Sequence, residues 1–445
     1  MKREFGRREF VGTMAGVGAL AALPVRSWAA EKKTGPALRI DAQRLQRSLE
    51  DLSVYGRPAG GTFADGVSRV AYSESDVAGR KFVMGLMQSA GLTPRIDAAG
   101  NILGRRDGRD SALKPILFGS HIDSVPGGGN FDGELGSLAA IEIARTLNDH
   151  RFVTRHPLEI AIWSNEEGGT VGSDGALGEV TPELLERQFN GVRLTDGLRA
   201  IGGDATRLET ARRARGSIHC YLELHIEQGA ILEKAGIPIG VVDGIVSIDE
   251  YEVEIRGVAN HAGTTPMPER HNALLAAAKL IEAVQEEVTR TPGRQVGNVG
   301  QLAVFPNAPN VVPGLVKHSI ELRDLSEENL VRLGAAIRAR AEVIARATGT
   351  QITIKQVEHL PPALATPEIQ GQIETAARVL GLRSMHLPSG AGHDAQVISR
   401  LGPMGMIFIP SVGGISHSPK EFSQWADCAN GANVLLHAIL QIDET

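Results

Sequence analysis

The sequence contains only two cysteines, Cys220 and Cys428, in 445 residues. Both stand in apolar surroundings, which is typical of buried thiols, although the two could pair in an oxidising compartment. A fold that depends on many disulfides is therefore excluded. The hydrophobic fraction of 42% is ample for a buried core, and a chain of this length favours two domains over one.

The sequence also lacks an excess of positive charge. Its formal net charge is -6, its isoelectric point is near 6.1, and no basic run follows the N-terminal segment. A surface for nucleic acid or for an anionic membrane is therefore not expected. The chain has no internal repeat and no long low-complexity tract.

The apolar stretch near the N-terminus, "VGTMAGVGALAALPV", is too short for a stable membrane anchor. It follows the pair Arg7-Arg8 and Phe10, and small residues ending at Ala29 come after it. This order is typical of a twin-arginine export signal over residues 1–30, with a basic disordered start as the alternative. We therefore predict a periplasmic or exported protein and leave this segment out of the fold.

Strand-like and helical patterns alternate in the first half of the chain. The runs 115–121 and 158–168 are strand-like and end in polar residues, and residues 133–150 between them have helical spacing. This β-turn-α-β order predicts an open α/β sheet. In such sheets, ligands bind beyond the carboxyl ends of the strands, where both polar clusters lie.

The pattern changes at about residue 247. In "SIDEYEVEIRG" apolar residues alternate with acidic ones, as in a half-buried strand. The order β-α-β-β-α-β up to residue 357 predicts a four-stranded antiparallel sheet with two helices on one face. The predicted organisation is a signal segment 1–30, a catalytic domain in two parts, 31–246 and 358–445, and an inserted domain 247–357.

Histidines and acids gather at the predicted strand ends and turns: His121, Asp132, Glu166, Glu167, His225 and His417. Singly, each has an ordinary alternative, such as a helix cap for Asp132 or a solvated loop for the glutamate pair. Together, their imidazole and carboxylate groups suit zinc or a similar divalent ion. A two-metal hydrolase needs a bridging carboxylate, terminal ligands and a separate general base, and this set supplies all three.

Seven motifs follow one another in the sequence: "GSHIDSVPGGGNFDGELG", "NEEGG", "ELHIEQG", "NHAGTTPM", "PNVVPG", "SGAGHDA" and "GISHSPKE". Together they resemble the amidase/hydantoinase/carbamoylase branch of metallopeptidase family M20, from about residue 40 to the C-terminus. That branch includes N-carbamoyl-L-amino acid hydrolases, allantoate amidohydrolases and β-ureidopropionases. The resemblance implies an α/β catalytic domain with an open mixed sheet, of the phosphorylase/hydrolase-like binuclear metallohydrolase type. It also implies that the inserted α+β domain is a four-stranded lid and dimerisation domain.

The resemblance further implies a metal centre. Its ligands would be His121, Asp132, Glu167, His225 and His417, with Asp132 bridging two divalent ions. The ions would be zinc or manganese, with cobalt or nickel as alternatives. Asp123 would accept a hydrogen bond from the other ring nitrogen of His121 and so orient it.

The resemblance also implies the residues that act on the substrate. Glu166 would be the general base, and His261 would be catalytic by stabilising the oxyanion, often from the partner subunit. The substrate would be contacted by His261, Gln228, Asn310 and Arg323, with Arg323 suited to a carboxylate. His393 could either belong to the site or only brace its loop.

The implied activity is hydrolysis of the carbamoyl C–N bond of a small ureido or amide substrate that carries a carboxylate, with release of ammonia and carbon dioxide. The implied assembly is a homodimer through the inserted domain. Two alternatives remain: an N-acyl-amino-acid deacylase or dipeptidase on the same metals, and a non-catalytic periplasmic binding protein. His225 favours the carbamoyl branch, since peptidase relatives tend to use a carboxylate there. The segment "EEGGTVGSDGALG" is shorter than in relatives and lacks their Arg-Phe, so the substrate stays open.

Overall fold

The computed structural model describes residues 38–445. The predicted signal segment, residues 1–30, lies outside the described residues. Among the helices from residue 38 onward, none combines the length and the apolar character that a membrane crossing requires.

The secondary structure of the described chain follows the predicted pattern closely. Its α-helices are Ala42–Leu52, Glu74–Ser89, Glu134–Asp149, Val171–Leu177, Pro182–Glu186, Leu194–Ala200, Ile231–Ala235, Ala273–Thr289, Glu327–Thr348, Pro367–Val379, Asp394–Ile398 and Trp425–Ile442. Its strands are Arg95–Ile96, Ile102–Arg106, Ile116–His121, Leu158–Trp163, Gln188–Phe189, Val192–Arg193, Cys220–Ile226, Ile239–Ile245, Ser247–Arg256, Asn260–His261, Val296–Asn298, Leu302–Phe305, Val311–Val312, Leu315–Asp324, Gln351–Leu360, Ala363–Leu364, Ser384–Ser389 and Met404–Ile409.

The larger sheet has nine strands and is mixed. Four central strands run parallel, in the spatial order Leu158–Trp163, Ile116–His121, Cys220–Ile226 and Met404–Ile409. Antiparallel strands pair with the outer members of this set on both sides. The predicted open mixed sheet is therefore confirmed, and the carboxyl ends of its four parallel strands meet at one edge.

Helices cover both faces of this sheet, so its four parallel strands are buried along their whole length and their side chains alternate between two cores. Phe118 and Leu224 belong to the core that the helices Glu134–Asp149 and Trp425–Ile442 close. Leu117 belongs to the core on the opposite face. Burial on both sides makes the central strands rigid supports for the loops at their ends.

Both cysteines lie in the first of these cores as free thiols. Each is 1% exposed. Burial raises the pKa of the Cys220 thiol to about 12 and also raises the pKa of Cys428. Of the two expectations for the cysteines, the structure therefore has the buried thiols and not the disulfide.

A second sheet is formed within residues 247–360, and the helices Ala273–Thr289 and Glu327–Thr348 share its core. It has five strands, and the prediction of four is wrong. The strand expected at 296–305 is broken into Val296–Asn298 and Leu302–Phe305, which both pair with Leu315–Asp324.

A one-residue β-bulge explains the break in that edge strand. Asn298 pairs with Glu321 and Leu302 pairs with His318. The interval of four residues from Asn298 to Leu302 therefore faces an interval of three residues on the neighbouring strand, so the broken strand contains one extra residue. The backbone N–H of Gln301 donates to the Ser319 side chain at 3.2 Å instead of joining the ladder. The opposite edge strand, Gln351–Leu360, extends beyond the predicted end at residue 357.

A buried ion pair joins the segment between the helices Ala42–Leu52 and Glu74–Ser89 to the helix Glu134–Asp149. Arg69 and Glu134 are 0% and 1% exposed, and their side chains are in direct contact. Arg69 also donates to the carbonyl oxygens of Leu52, Tyr55 and Ile122 at 3.1, 2.8 and 2.6 Å. One guanidinium therefore holds three chain segments against the start of the helix Glu134–Asp149.

Candidate functional site

The loop after the strand Ile116–His121 returns the chain to the end of that strand. Asp132 closes the loop, and Gly133 follows it with φ 78° and ψ -46°, a conformation that strongly favours glycine. A Cβ atom at Gly133 would overlap the ring of His121. Because glycine has no Cβ, the backbone passes against the imidazole and places Asp132 beside His121.

His121, Asp132 and His225 form a group that we call the inner cluster. Both histidines are 1% exposed and come from neighbouring parallel strands. Their Nε2 atoms lie 3.7 and 3.1 Å from Oδ1 of Asp132. The inner cluster therefore lies at the carboxyl edge of the sheet, where ligand sites of α/β proteins are found.

The two imidazoles of the inner cluster are held in one tautomer. Nδ1 of His121 donates to the carbonyl oxygen of Asp123, and Nδ1 of His225 donates to that of Ile226, both at 3.0 Å. When each ring is neutral, Nε2 is therefore the nitrogen without a proton and the one that can ligate a metal ion. Within residues 38–445 neither Nε2 has a hydrogen-bond partner. Buried acceptors without a donor are costly, and a cation between them would remove that cost, so these residues fit a metal ion.

Asp132, Glu167 and His417 form a second group, the outer cluster. Nε2 of His417 lies 3.4 Å from Oδ2 of Asp132 and 3.5 Å from Oε2 of Glu167. His417 has φ 53° and a half-exposed side chain, so this cluster opens to solvent. The two oxygens of Asp132 are thus divided, with Oδ1 facing the inner cluster and Oδ2 facing the outer one.

The histidines stabilise the negative charge of some carboxylates in this region but not of others. Burial opposes ionisation of Asp132, but neighbouring histidines, His225 first, hold its pKa well below the usual range. Burial raises the pKa of Glu167 to about 8, and the negative charge of Asp132 adds to the effect. Burial and then Asp394 raise the pKa of Glu166 well above its usual value. The region contains more negative charge than its histidines neutralise, which favours a bound cation.

The glutamate pair follows the strand Leu158–Trp163 and is fixed through its backbone. The Asp123 carboxylate accepts hydrogen bonds from the N–H groups of Glu166 and Glu167 at 3.3 and 3.2 Å. The Oε2 atom of Glu166 lies 3.6 Å from Nε2 of His121. Glu166 therefore stands beside the inner cluster, and Asp123 fixes its position.

The prediction that the Asp123 carboxylate accepts from His121 needs correction. The backbone carbonyl of Asp123 accepts that hydrogen bond, and the nearest carboxylate oxygen is 3.8 Å from Nδ1. The chain turns directly after the strand, so the Asp123 carbonyl faces the ring while its side chain reaches the glutamate pair.

A cavity of about 730 Å³ opens at the two clusters. The loops that follow strands of the larger sheet contribute part of its lining: Asp132, Glu166, Glu167, Gln228, His393 and His417. The second sheet contributes Ile248, Arg323, Glu358 and Leu360. Nε of Arg323 donates to Glu321 at 2.7 Å, and Nη1 donates to the carbonyl oxygen of Gly390 at 2.6 Å. Arg323 therefore joins the second sheet to the residue that follows the strand Ser384–Ser389 of the larger sheet, at the cavity wall.

Two predicted substrate contacts lie outside this cavity. His261 ends one strand of a short antiparallel ribbon, Asn260–His261 with Val311–Val312, and Asn310 directly precedes the other strand. Neither residue is among those that line the cavity. Nδ1 of His261 accepts from the backbone N–H groups of Gly263 and Thr264 at 3.0 and 3.2 Å, which leaves Nε2 as the donor. Within one chain, the predicted site is assembled only in part.

Gln228 and His393 lie in the cavity wall but already have partners. Nε2 of Gln228 donates to Oδ2 of Asp132 at 2.6 Å, so this side chain positions the carboxylate in addition to facing the cavity. Gln228 has φ 57°, a left-handed backbone that aims the amide at the cluster. His393 is 1% exposed, and its Nε2 lies 2.9 Å from Oγ of Ser389.

Glu421 was not predicted from the sequence; it is 4% exposed, and its carboxylate accepts a hydrogen bond from the backbone N–H of Asp132. Ser416 is also new, because its Oγ lies 2.9 Å from Oδ2 of Asp132. Both belong to the motif "GISHSPKEF", in which only His417 was singled out. An acid four residues after a histidine in a loop is usually solvated, so the sequence alone offered little signal for Glu421.

Parallel strands that bring two histidine–carboxylate clusters to one cavity are the arrangement of a metal-dependent hydrolase. Residues 117–441 match the sequence profile of peptidase family M20/M25/M40. The chain belongs to this family, which is metal-dependent, and it is a hydrolase.

Relatives in the same family are similar over nearly their whole length. The chain is 40% identical over 409 residues to the N-carbamoyl-L-amino acid amidohydrolase of Geobacillus stearothermophilus, covering 91% of this chain and 99% of that one. It is 37% identical over 413 residues to the ureidoglycolate hydrolase of Arabidopsis thaliana, covering 90% and 86%. A crystal structure of a hydantoinase/carbamoylase family amidase from Burkholderia ambifaria has a TM-score of 0.83 and 37% identity, covering 91% and 98%. The predicted resemblance to the carbamoylase branch is confirmed.

Proposed function

We propose that this protein is a binuclear metal-dependent amidohydrolase that cleaves the carbamoyl C–N bond of an N-carbamoyl amino acid or an allantoate-like ureido acid. The products would be an amino acid or related acid, ammonia and carbon dioxide. The proposal rests above all on Asp132, whose two oxygens face two separate histidine-containing clusters. The names of the relatives support a ureido substrate for this chain.

Two divalent ions would be held by the residues of the two clusters. His121 and His225 would bind one ion and Glu167 and His417 the other, with Asp132 between them. The unpartnered Nε2 atoms of the inner cluster support this assignment. When bound, such a pair of ions polarises the scissile carbonyl and lowers the pKa of water. Zinc or manganese suits these ligands, with cobalt or nickel as alternatives.

Glu166 would act as the general base. It lines the cavity, lies 3.6 Å from His121 Nε2, and is not needed as a ligand in either cluster. Its carboxylate would accept a proton from the attacking water and transfer it to the departing nitrogen. The two N–H bonds to Asp123 keep this carboxylate at the inner cluster.

Arg323 would bind the carboxylate of the substrate. It lies on the cavity wall opposite the clusters, and a guanidinium can meet a carboxylate bidentately. Its present partner Glu321 is on the same strand, so an incoming carboxylate would compete with it. Since Arg323 belongs to the inserted domain and the clusters do not, closure of that domain would complete the site.

A homodimer through the inserted domain would supply the remaining contacts. His261 and Asn310 do not line the cavity of their own chain, and Nε2 of His261 is an exposed donor. In a dimer this ribbon would reach the partner's cavity, where His261 would stabilise the oxyanion. Gln228 would contact the substrate within its own chain.

Release of ammonia by the metal-reconstituted protein tests the activity. The substrate panel contains N-carbamoyl amino acids, allantoate, ureidoglycolate and N-carbamoyl-β-alanine, with N-acyl amino acids and dipeptides for the alternative. We expect ammonia from at least one ureido acid. Turnover of the acyl or peptide substrates alone would refute the carbamoyl assignment. The panel is broad because the short segment after Glu167, which places Thr170 and Asp174 on the cavity wall, leaves the substrate open.

The variant Glu166→Gln tests the base. It should lose about 10²–10⁴-fold in kcat, because the proton acceptor is gone. Its metal content should equal that of the wild type, since Glu166 is not a ligand. Activity near the wild-type level would contradict the role of Glu166.

Co-expression of Glu166→Gln with His261→Ala tests the shared site. Each variant alone should be inactive. Half of randomly assembled dimers are mixed, and each mixed dimer has one intact site, so about a quarter of wild-type activity should return. No recovery in verified mixed dimers would show that His261 acts within its own chain.

The protein would be exported through its twin-arginine segment, residues 1–30. It is supported by the Arg7-Arg8 pair and the apolar run that follows it. Cell fractionation should find the native protein in the periplasm, and replacement of both arginines with lysine should retain it in the cytoplasm. A wild-type protein found only in the cytoplasm would refute export.

A further inference from the structure

Glu421 connects the two loops that carry the outer cluster. Its Oε1 atom accepts hydrogen bonds from the backbone N–H groups of Phe131 and Asp132 at 3.0 and 3.1 Å. Its Oε2 atom accepts from Oγ of Ser416 at 2.8 Å. One carboxylate thus holds the residue before His417 against the turn that ends in Asp132, across about 290 residues of sequence.

The turn is shaped to admit this carboxylate. A Cβ atom at Gly129 would overlap the carboxyl group of Glu421. Glycine at this position lets the carboxylate approach the backbone closely, and the three hydrogen bonds require that approach. The fit between Gly129 and Glu421 is therefore a property of the loop pair and not of either loop alone.

The two backbone donors need an acceptor because they are buried. Phe131 is 0% exposed and Asp132 is 6% exposed. Without the carboxylate, two backbone N–H groups would lose their partner in a dry environment, and the turn would rearrange to recover one. Such a rearrangement would shift Asp132 relative to His417, whose nearest atoms are now 3.4 Å apart.

We propose that Glu421 is a positioning residue that sets the placement of Asp132 relative to His417 and thereby the affinity of the outer metal position. This inference rests on the proposed binuclear function. Glu421 does not contact the substrate cavity, since it is not among the residues that line it. It acts through the backbone of Asp132 and through Ser416.

The shape of the acceptor matters more than its charge in this arrangement. In Glu421→Gln the amide oxygen can accept from both backbone N–H groups. The amide nitrogen can then donate to Oγ of Ser416, and the single hydroxyl proton of Ser416, which Glu421 accepts in the wild type, is released for Oδ2 of Asp132 at 2.9 Å. Glu421→Ala removes the acceptor, and Gly129→Ala displaces it without altering Glu421 or any cluster residue. Lys420→Ala is a matched control, because Lys420 is the exposed neighbour of Glu421.

Equilibrium dialysis of the full chain against Zn²⁺, with metal analysis, tests the inference. The wild type, Glu421→Gln and Lys420→Ala should bind two ions with similar affinities. Glu421→Ala and Gly129→Ala should retain one tight ion and bind the second about 10–100-fold more weakly. Circular dichroism of each metal-free variant verifies folding. If Glu421→Ala does not fold, the affinity of Gly129→Ala for the second ion tests the role of Glu421.

The outcomes separate this inference from the proposed function. If the wild type binds two ions and both alanine variants bind them equally well, Glu421 is not a positioning residue and the metal centre stands. If Glu421→Gln is as impaired as Glu421→Ala, the negative charge matters and the geometric role is wrong. If the wild type binds fewer than two ions, the binuclear function itself falls, and this inference falls with it.

Discussion

Replacement of Gly133 by alanine is expected to disrupt the inner cluster. Gly133 has φ 78° and ψ -46°, which costs a residue with a Cβ about 1–3 kcal/mol. The added Cβ would also lie within 3.0 Å of three ring atoms of His121, Cε1, Nδ1 and Nε2. To reach an ordinary van der Waals distance the ring would have to retreat by about 1 Å.

The ring of His121 has little freedom to retreat. It is 1% exposed, and movement would break its hydrogen bond to the carbonyl oxygen of Asp123, worth about 0.5–1.5 kcal/mol. Metal–ligand distances tolerate only about 0.2 Å of variation. We therefore expect a combined destabilisation of about 2–4 kcal/mol together with loss of one metal ion.

Gly127→Ala is the matched control for this prediction. Gly127 is in the same turn with φ 64°, but a Cβ there meets no atom within 4 Å. It should cost about 1–2 kcal/mol from backbone strain alone and should leave the metal content unchanged. Urea unfolding measures the stability of both variants, and metal analysis counts the bound ions. Wild-type metal content and activity in Gly133→Ala would refute the reasoning.

Three further outcomes are expected. Arg69→Met should lower the unfolding free energy by about 3–5 kcal/mol, because Glu134 would stay buried without its partner; a change below about 1 kcal/mol in urea unfolding would contradict this. Cys220 and Cys428 should not react with Ellman's reagent in the native protein, and both should react after unfolding, because burial raises both thiol pKa values and shields the sulfur atoms. Arg323→Ala should raise KM for carboxylate substrates by about 10–100-fold. A neutral amide analogue should show no such change, and an equal rise for it would exclude a carboxylate contact.

Periodicity was sufficient to predict most of the fold. The strand Ile116–His121 is buried at every residue, as its continuous apolar run predicts for a strand packed on both faces. The strand Ser247–Arg256 alternates over much of its length between buried and more exposed residues, as its alternating sequence predicts for a strand packed on one face. The break between Asn298 and Leu302 could not be predicted in this way. It depends on a bulge whose position is set by pairing with the neighbouring strand.

The candidate site was predictable where it depends on strand ends. His121, Glu166 and His225 follow or end parallel strands, so their proximity follows from sheet topology. The Asp123 carboxylate accepts from the backbone of Glu166 and Glu167 because of the way one loop turns, and periodicity does not predict the course of a loop. The separation of His261 from the cavity depends on the placement of a whole domain, which is a matter of tertiary packing.

A crystal structure of the metal-loaded protein, with anomalous scattering recorded at the metal edge, tests the binuclear centre most directly. Two peaks should appear, one ligated by His121 and His225 and the other by Glu167 and His417. Asp132 should lie between the two ions, which should be about 3.5–4 Å apart. A single peak, or an ion held instead by the nearby group Glu223, His225 and His393, would contradict the proposed centre.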